Sequence, residues 1–118
     1  MLIPLLIASR NRELSDAEKS AIEELSDGLE GFYARIVSCE VHVDGPGSRH
    51  RHGTHRVRVV LRVPMRTIVI SRRKSGSFRE ALAEAFRAAG RRLEDHARRI
   101  RGDVKRHSAG LRRGEDLP

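Results

Sequence analysis

A chain of 118 residues has room for one domain with one core, and its hydrophobic fraction of 38% suffices for that core only if it is well patterned. Lys plus Arg is 24 against 16 Asp plus Glu, giving a formal net charge of +8 with six neutral His. The only aromatic rings are Phe32, Tyr33, Phe78 and Phe86, too few for single-strand binding by base stacking, and a lone Cys39 excludes an internal disulfide framework and a Cys-based zinc site.

The apolar start, Met1 to Ala8, is too short to span a bilayer and lacks the basic region of an export signal, so a soluble cytoplasmic protein is expected. Leu2 to Ala8 instead reads as a first strand, with Ile3, Leu5 and Ile7 on one face. Pro4 has no N–H for a ladder, which assigns this strand to a sheet edge. Ser15-Asp16-Ala17-Glu18 has the pattern of a capping box. Ala21, Ile22, Leu25 and Leu29 follow at helical spacing, and Gly31 suits a stop, predicting a helix over 16–30.

Val37, Cys39, Val41 and Val43 alternate with Ser38, Glu40 and His42, the pattern of a half-buried strand. Cys39 lies on its apolar face, where a packed small side chain is expected rather than a reactive thiol. A turn at Asp44-Gly45-Pro46-Gly47-Ser48 leads into the basic loop Arg49-His50-Arg51-His52-Gly53-Thr54. His50, His52 and His55 stand close together there. No Cys or carboxylate accompanies them and the neighbouring arginines repel a cation, so extra nucleic-acid contacts are expected and no metal site. The next strand turns Val57, Val59, Leu61 and Val63 inward and Arg56, Arg58 and Arg62 outward. Pro64-Met65-Arg66 reverses the chain into a last strand over Thr67–Ser71.

Ser77-Phe78-Arg79-Glu80 is a second capping-box pattern. Behind it Leu82, Phe86, Ala89, Leu93, His96 or Ala97, and Ile100 form one apolar seam, predicting a helix over 78–105 with His96 a packed residue. The segment from Ser108 onward has no periodicity and reads as a flexible tail, so the domain is assigned to 1–107 and the tail to 108–118. The order is β-α-β-β-β-α, an α+β fold with a four-stranded sheet and two helices packed on one face.

The charge is uneven: residues 1–45 carry −5, residues 46–71 carry +6, residues 72–113 carry +9 and the last five −2. Such asymmetry suggests a polyanion partner for the second half, against the plainer reading of charge carried for solubility. At about 100° per residue, Arg87, Arg91, Arg98, Arg101 and Lys105 fall opposite the apolar seam of the second helix. They form a ridge about 27 Å long at 1.5 Å per residue, interrupted by Glu94. The opposing reading is a solvated face with pairs at Glu84–Arg87, Arg91–Glu94 and Glu94–Arg98. Those pairs leave Arg101 and Lys105 unmatched, so the ridge is read as functional. With the basic run Arg72-Arg73-Lys74 ahead of the helix, the candidate RNA-contacting set is Arg72, Arg73, Lys74, Arg87, Arg91, Arg98, Arg101 and Lys105.

The Ser-Asp-Ala-Glu helix start, Leu29-Glu30-Gly31-Phe32-Tyr33-Ala34-Arg35-Ile36, Arg91-Arg92-Leu93-Glu94-Asp95-His96 and Arg101-Gly102-Asp103-Val104-Lys105 stand out as motifs. With the β-α-β-β-β-α order, they resemble the ribosome hibernation-promoting factor and ribosome-associated translation inhibitor family (the sigma-54 modulation protein family), in its short single-domain form. The resemblance implies a fold like a double-stranded-RNA-binding domain. It also implies binding to the small ribosomal subunit through ribosomal RNA, where mRNA and tRNAs would lie, with translation stopped by exclusion and no chemistry. Arg91 corresponds to a basic residue of that family's second helix, and Arg87 lies one residue before another. The sequence departs from the family at Glu94 and Asp95, where many members are basic. It departs also at Arg72-Arg73-Lys74 and Arg79, which replace a more acidic and aromatic segment. The long members' C-terminal dimerisation domain is not expected in this short form, and a monomer is expected off the ribosome. No enzyme, cofactor, small-molecule substrate or membrane partner is expected, since no nucleophile–base set, paired carboxylates or phosphate-cradling glycine loop is visible. A nucleoid-type or general double-stranded nucleic-acid-binding protein is the alternative, because phosphate contacts alone do not separate DNA from RNA.

Overall fold

The computed structural model describes residues 3–45, 54–75 and 77–109. The His-rich connection with His50 and His52, and residues 110–118 of the expected tail, lie outside the described residues, as do the side chains of Lys74 and Lys105.

The first strand, β1, spans Leu5–Arg10, later than the expected Leu2 to Ala8, and lies at the sheet edge with Pro4 just ahead of it, so the edge position does not rest on Pro4. Pro4 still contributes an acceptor, its carbonyl receiving the Cys39 amide at 2.9 Å. Asn11 then turns the chain at φ 64°, a left-handed conformation that Asn tolerates. The first helix, α1 (Asp16–Gly28), opens on a complete capping box. Ser15 Oγ accepts from the Glu18 amide at 3.1 Å, and the Glu18 carboxylate accepts from the Ser15 amide at 2.9 Å. Its end differs from the expected glycine stop. The helix tightens into a 3-10 turn at Leu29–Gly31, with the Phe32 amide bonded to the Leu29 carbonyl at 3.0 Å.

Strand β2 (Ser38–Asp44) runs parallel to β1, a pairing made possible by the α1 crossover between them. Strands β3 (Thr54–Val63) and β4 (Arg66–Ser75) continue antiparallel, giving the order β1-β2-β3-β4. The β3–β4 turn places Pro64 ahead of Met65, which takes φ 69° and is fully exposed. That conformation disfavours a side chain bearing a Cβ. The second helix, α2 (Phe78–Ala109), starts with Ser77 Oγ accepting from the Glu80 amide at 3.2 Å and is longer than the seam predicted.

The core lies between the sheet and the two helices, so the fold is the expected α+β arrangement. Cys39, Val41, Val43, Val57, Val59, Leu61, Ile68 and Ile70 line the covered sheet face, against Ile22 from α1, Leu29 from the 3-10 turn and Leu82, Phe86, Ala89 and Leu93 from α2. Cys39 is buried as the alternation required, and burial pushes its thiol above the usual range despite the Ser26 hydroxyl against it. Three apolar positions depart from the sequence pattern. Leu25 is exposed on α1, Val37 precedes β2 and is more than half exposed, and Ile100 is exposed because this stretch of α2 buries only Leu93, His96 and Ala97. Gly90 has a packing reason to lack a side chain. A Cβ there would come within 2.9 Å of the Phe32 ring, which lies against the helix at that point.

Candidate nucleic-acid interface

The 3.6-residue period that buries Leu82, Phe86, Ala89 and Leu93 turns the intervening arginines to solvent. Arg87, Arg91, Arg98 and Arg101 are all exposed along one side of α2, and Lys105 continues the same helix. Only Arg98 among these four is tied to a carboxylate within the described residues. It closes on Asp95 at 2.5 Å, three residues back, rather than on Glu94 as the sequence pattern had it. The ridge therefore keeps guanidinium groups available at Arg87, Arg91 and Arg101.

The run Arg72-Arg73-Lys74 is not one patch. Strand pleating sends alternate side chains to opposite faces. Arg72 pairs in register with Val57, which faces the helices, and its guanidinium donates to the Ser71 carbonyl at 2.9 Å. Arg73 pairs with Arg56 and is exposed on the uncovered face of the sheet, away from α2, while Lys74 pairs with His55.

Further cations stand on that uncovered face beside Arg73, and of these Arg10, Arg56, Arg58 and Arg62 are not in the candidate set. Register places Arg10, Asp44, Arg56 and Arg73 in one row across all four strands. The next row is Ala8, His42, Arg58 and Ser71, and the third is Leu6, Glu40, Val60 and Val69. The fourth brings Arg62 opposite Ser38 and Thr67. The outward positions of Arg56, Arg58 and Arg62 were legible in the alternation of β3; the convergence of Arg10 and Arg73 upon them depends on register. Both carboxylates on this face are engaged. Asp44 takes Arg10 at 2.9 Å and Asn11 at 3.2 Å, and Glu40 takes Arg62 and His42 each at 3.1 Å. The hydrogen bond from Arg10, with help from Asn11, holds the Asp44 carboxyl below its ordinary range, and the one from His42 does the same for Glu40.

Arg12 is built into the structure and takes no part in either surface. Its guanidinium lies 4.5 Å from the Phe78 ring centroid, pairs with Glu18 at 2.6 Å and comes within 3.3 Å of His55 Nδ1. Its stem crosses Gly45 so closely that a Cβ there would sit 2.5 Å from Arg12 Cδ. This contact locks the β1–α1 connection, the start of β3 and the start of α2 together. Burial works against the Glu18 charge, yet hydrogen bonds from the Ser15 backbone and Arg12 outweigh it and lower the Glu18 pKa. His55 is pushed down by burial first and by the Arg12 charge second. His96 is packed as expected, 6% exposed, with its ring edge-on to Tyr33 at 5.1 Å between centroids. Its Nε2 has no hydrogen-bond partner. Among the described residues no group of three or more His, Cys, Asp or Glu could hold a metal ion, and no helix is long and apolar enough to cross a membrane.

An α+β sandwich with one helix-covered and one open sheet face, and cations on both outer surfaces, defines a class of small basic domain. The chain belongs to the family described as sigma 54 modulation protein / S30EA ribosomal protein, which it matches over residues 5–101. Among solved structures it is similar to the N-terminal domain of Protein Y from Thermus thermophilus, at 15% identity and a TM-score of 0.67, covering 81% of this chain and 99% of that one. It is also similar to a ribosomal subunit interface protein from Coxiella burnetii, at 10% identity and a TM-score of 0.66, covering 80% of this chain and 98% of that one. At these identities the two structures establish the shared fold. No curated protein matches the sequence.

Proposed function

We propose that this protein associates with the small ribosomal subunit through ribosomal RNA, laying the α2 ridge along the phosphate backbone and silencing translation by occupying the mRNA and tRNA channel. Family membership supports the ribosome as the particle, and the description of the Coxiella burnetii relative as a subunit interface protein points to the same place. The observation that carries the proposal is the solvent side of α2, where Arg87, Arg91 and Arg101 stand without a carboxylate partner among the described residues. A helix that only completed a core would gain nothing from that repulsion. Occlusion requires no bond to be made or broken, so binding alone performs the function.

The triple substitution Arg87→Glu, Arg91→Glu, Arg98→Glu tests this reading. All three sites are exposed, so the melting temperature should change little. Co-sedimentation with small subunits and inhibition of translation in vitro should both be abolished. A variant that still sediments with subunits and still inhibits would remove α2 as the contact surface. Loss of binding to DNA equal to the loss on ribosomes would favour a general nucleic-acid-binding role.

A further inference from the structure

The uncovered sheet face carries a second concentration of positive charge whose construction the α2 ridge does not explain. Arg10, Arg56 and Arg73 share one row and Arg58 stands in the next, two residues along β3. Arg56 and Arg73 are direct cross-strand partners, and like charges in that relation oppose sheet pairing. The only described carboxylates on the face are Asp44, held by Arg10 and Asn11, and Glu40, held by Arg62 and His42. Arg56 and Arg58 act on Asp44 and Glu40 through charge but make no ion-pair contact with them, and Arg73 has no ion pair among the described residues. A cleft of about 390 Å³ opens here, with Ala8 in its lining and Arg10, His42, Asp44, Arg56 and Arg58 around it.

We propose that this face is a second RNA-backbone site, independent of α2, in which Arg56 and Arg58 take phosphates of one sugar–phosphate strand within the cleft and Arg73 continues the track. The face bears no Phe, Tyr or Trp, and the ring of its one described imidazole, His42, is tied to Glu40, so it reads phosphate and not bases. A two-residue step along β3 separates Arg56 and Arg58 by about 7 Å, which lets the two guanidinium groups address successive phosphates of an extended strand. Because the helices cover the other side of the sheet, the two cationic surfaces face opposite directions, and the domain bridges two RNA segments. The proposal rests on the ribosomal reading only for the identity of the polyanion.

The test uses the full chain with a donor-labelled and an acceptor-labelled 20-nucleotide oligouridylate, measuring affinity by anisotropy and bridging by energy transfer. Wild type should bring the two RNAs together at substoichiometric RNA. Arg56→Gln/Arg58→Gln, which removes charge without reversing it, should abolish transfer and weaken RNA binding about tenfold while keeping the wild-type melting temperature. The α2 triple variant should also lose transfer yet retain binding through the sheet face. If Arg56→Gln/Arg58→Gln bridges and binds as wild type does, the second site does not exist. If the α2 variant leaves both readouts unchanged while Arg56→Gln/Arg58→Gln weakens binding, the α2 reading and the bridging through it fail and only the sheet-face RNA site stands.

Discussion

Two histidines are held away from water and beside arginines, and this sets how the protein responds to acid. His96 is lowered by burial first and then by the Arg66 and Arg99 charges, and His55 by burial and Arg12. A histidine whose folded pKa lies below its unfolded value binds protons more readily in the unfolded chain. Its contribution to stability is thus complete above the unfolded pKa, near 6.5, and is lost as pH falls from there. Replacing His96 with Phe keeps an edge-on ring against Tyr33, removes the unpartnered Nε2 and deletes one of these titrations. Urea unfolding between pH 7 and 5 should show wild type losing stability with acid and His96→Phe losing less, the difference in slope reaching at most about 1.4 kcal/mol per pH unit. Parallel slopes would mean that His96 carries no linked proton.

At the level of elements, α2 joins core to candidate interface, because one helical period both buries Leu82, Phe86, Ala89 and Leu93 and exposes Arg87, Arg91, Arg98 and Arg101. A ridge that neutralises four phosphates should give affinity for ribosomal RNA falling with salt at a log–log slope of roughly −3 to −4. Titration from 50 to 300 mM salt checks this, and the single substitution Arg91→Gln should flatten the slope by about one. Much of this was legible in the sequence: the Ser15 capping box, the alternation of β2 and β3, and the α2 seam as far as Ala97. What escaped was set by partners distant in the chain. The end of α1 was assigned to a glycine, but the turn tightens there with no glycine in the left-handed region. Three consecutive basic residues in β4 looked like one patch until the pleat divided them. Arg98 had two carboxylates within reach, and the shorter Asp95 side chain, on the adjoining side of the helix, took it. The row of Arg10, Arg56 and Arg73 could not be read at all without knowing which residues pair across the sheet.

The molecule as a whole segregates its charge by layer. The acidic residues of the first 45 concentrate on α1, so the helical layer presents a negative segment beside the positive side of α2. The opposite surface, the bare sheet, is positive at the end where Arg10, Arg56 and Arg73 meet. This distribution favours a particular orientation among RNA segments, because α1 repels backbone wherever the two cationic surfaces would attract it.

The parallel seating of β1 has a consequence for how the chain assembles and comes apart. Its sole ladder neighbour, β2, does not begin until Ser38, so the segment synthesised first must wait for α1 to form and carry the chain back before it can be placed. Native-state hydrogen exchange should accordingly find the amides of Leu6 to Ser9 opening at lower free energy than those of Val57 to Leu61, which sit between two neighbours. Equal protection in the two strands would mean that the sheet yields only as a unit. Unequal protection would make the rim at β1 a hinged margin on a firmer three-stranded slab, the place where the fold loosens first.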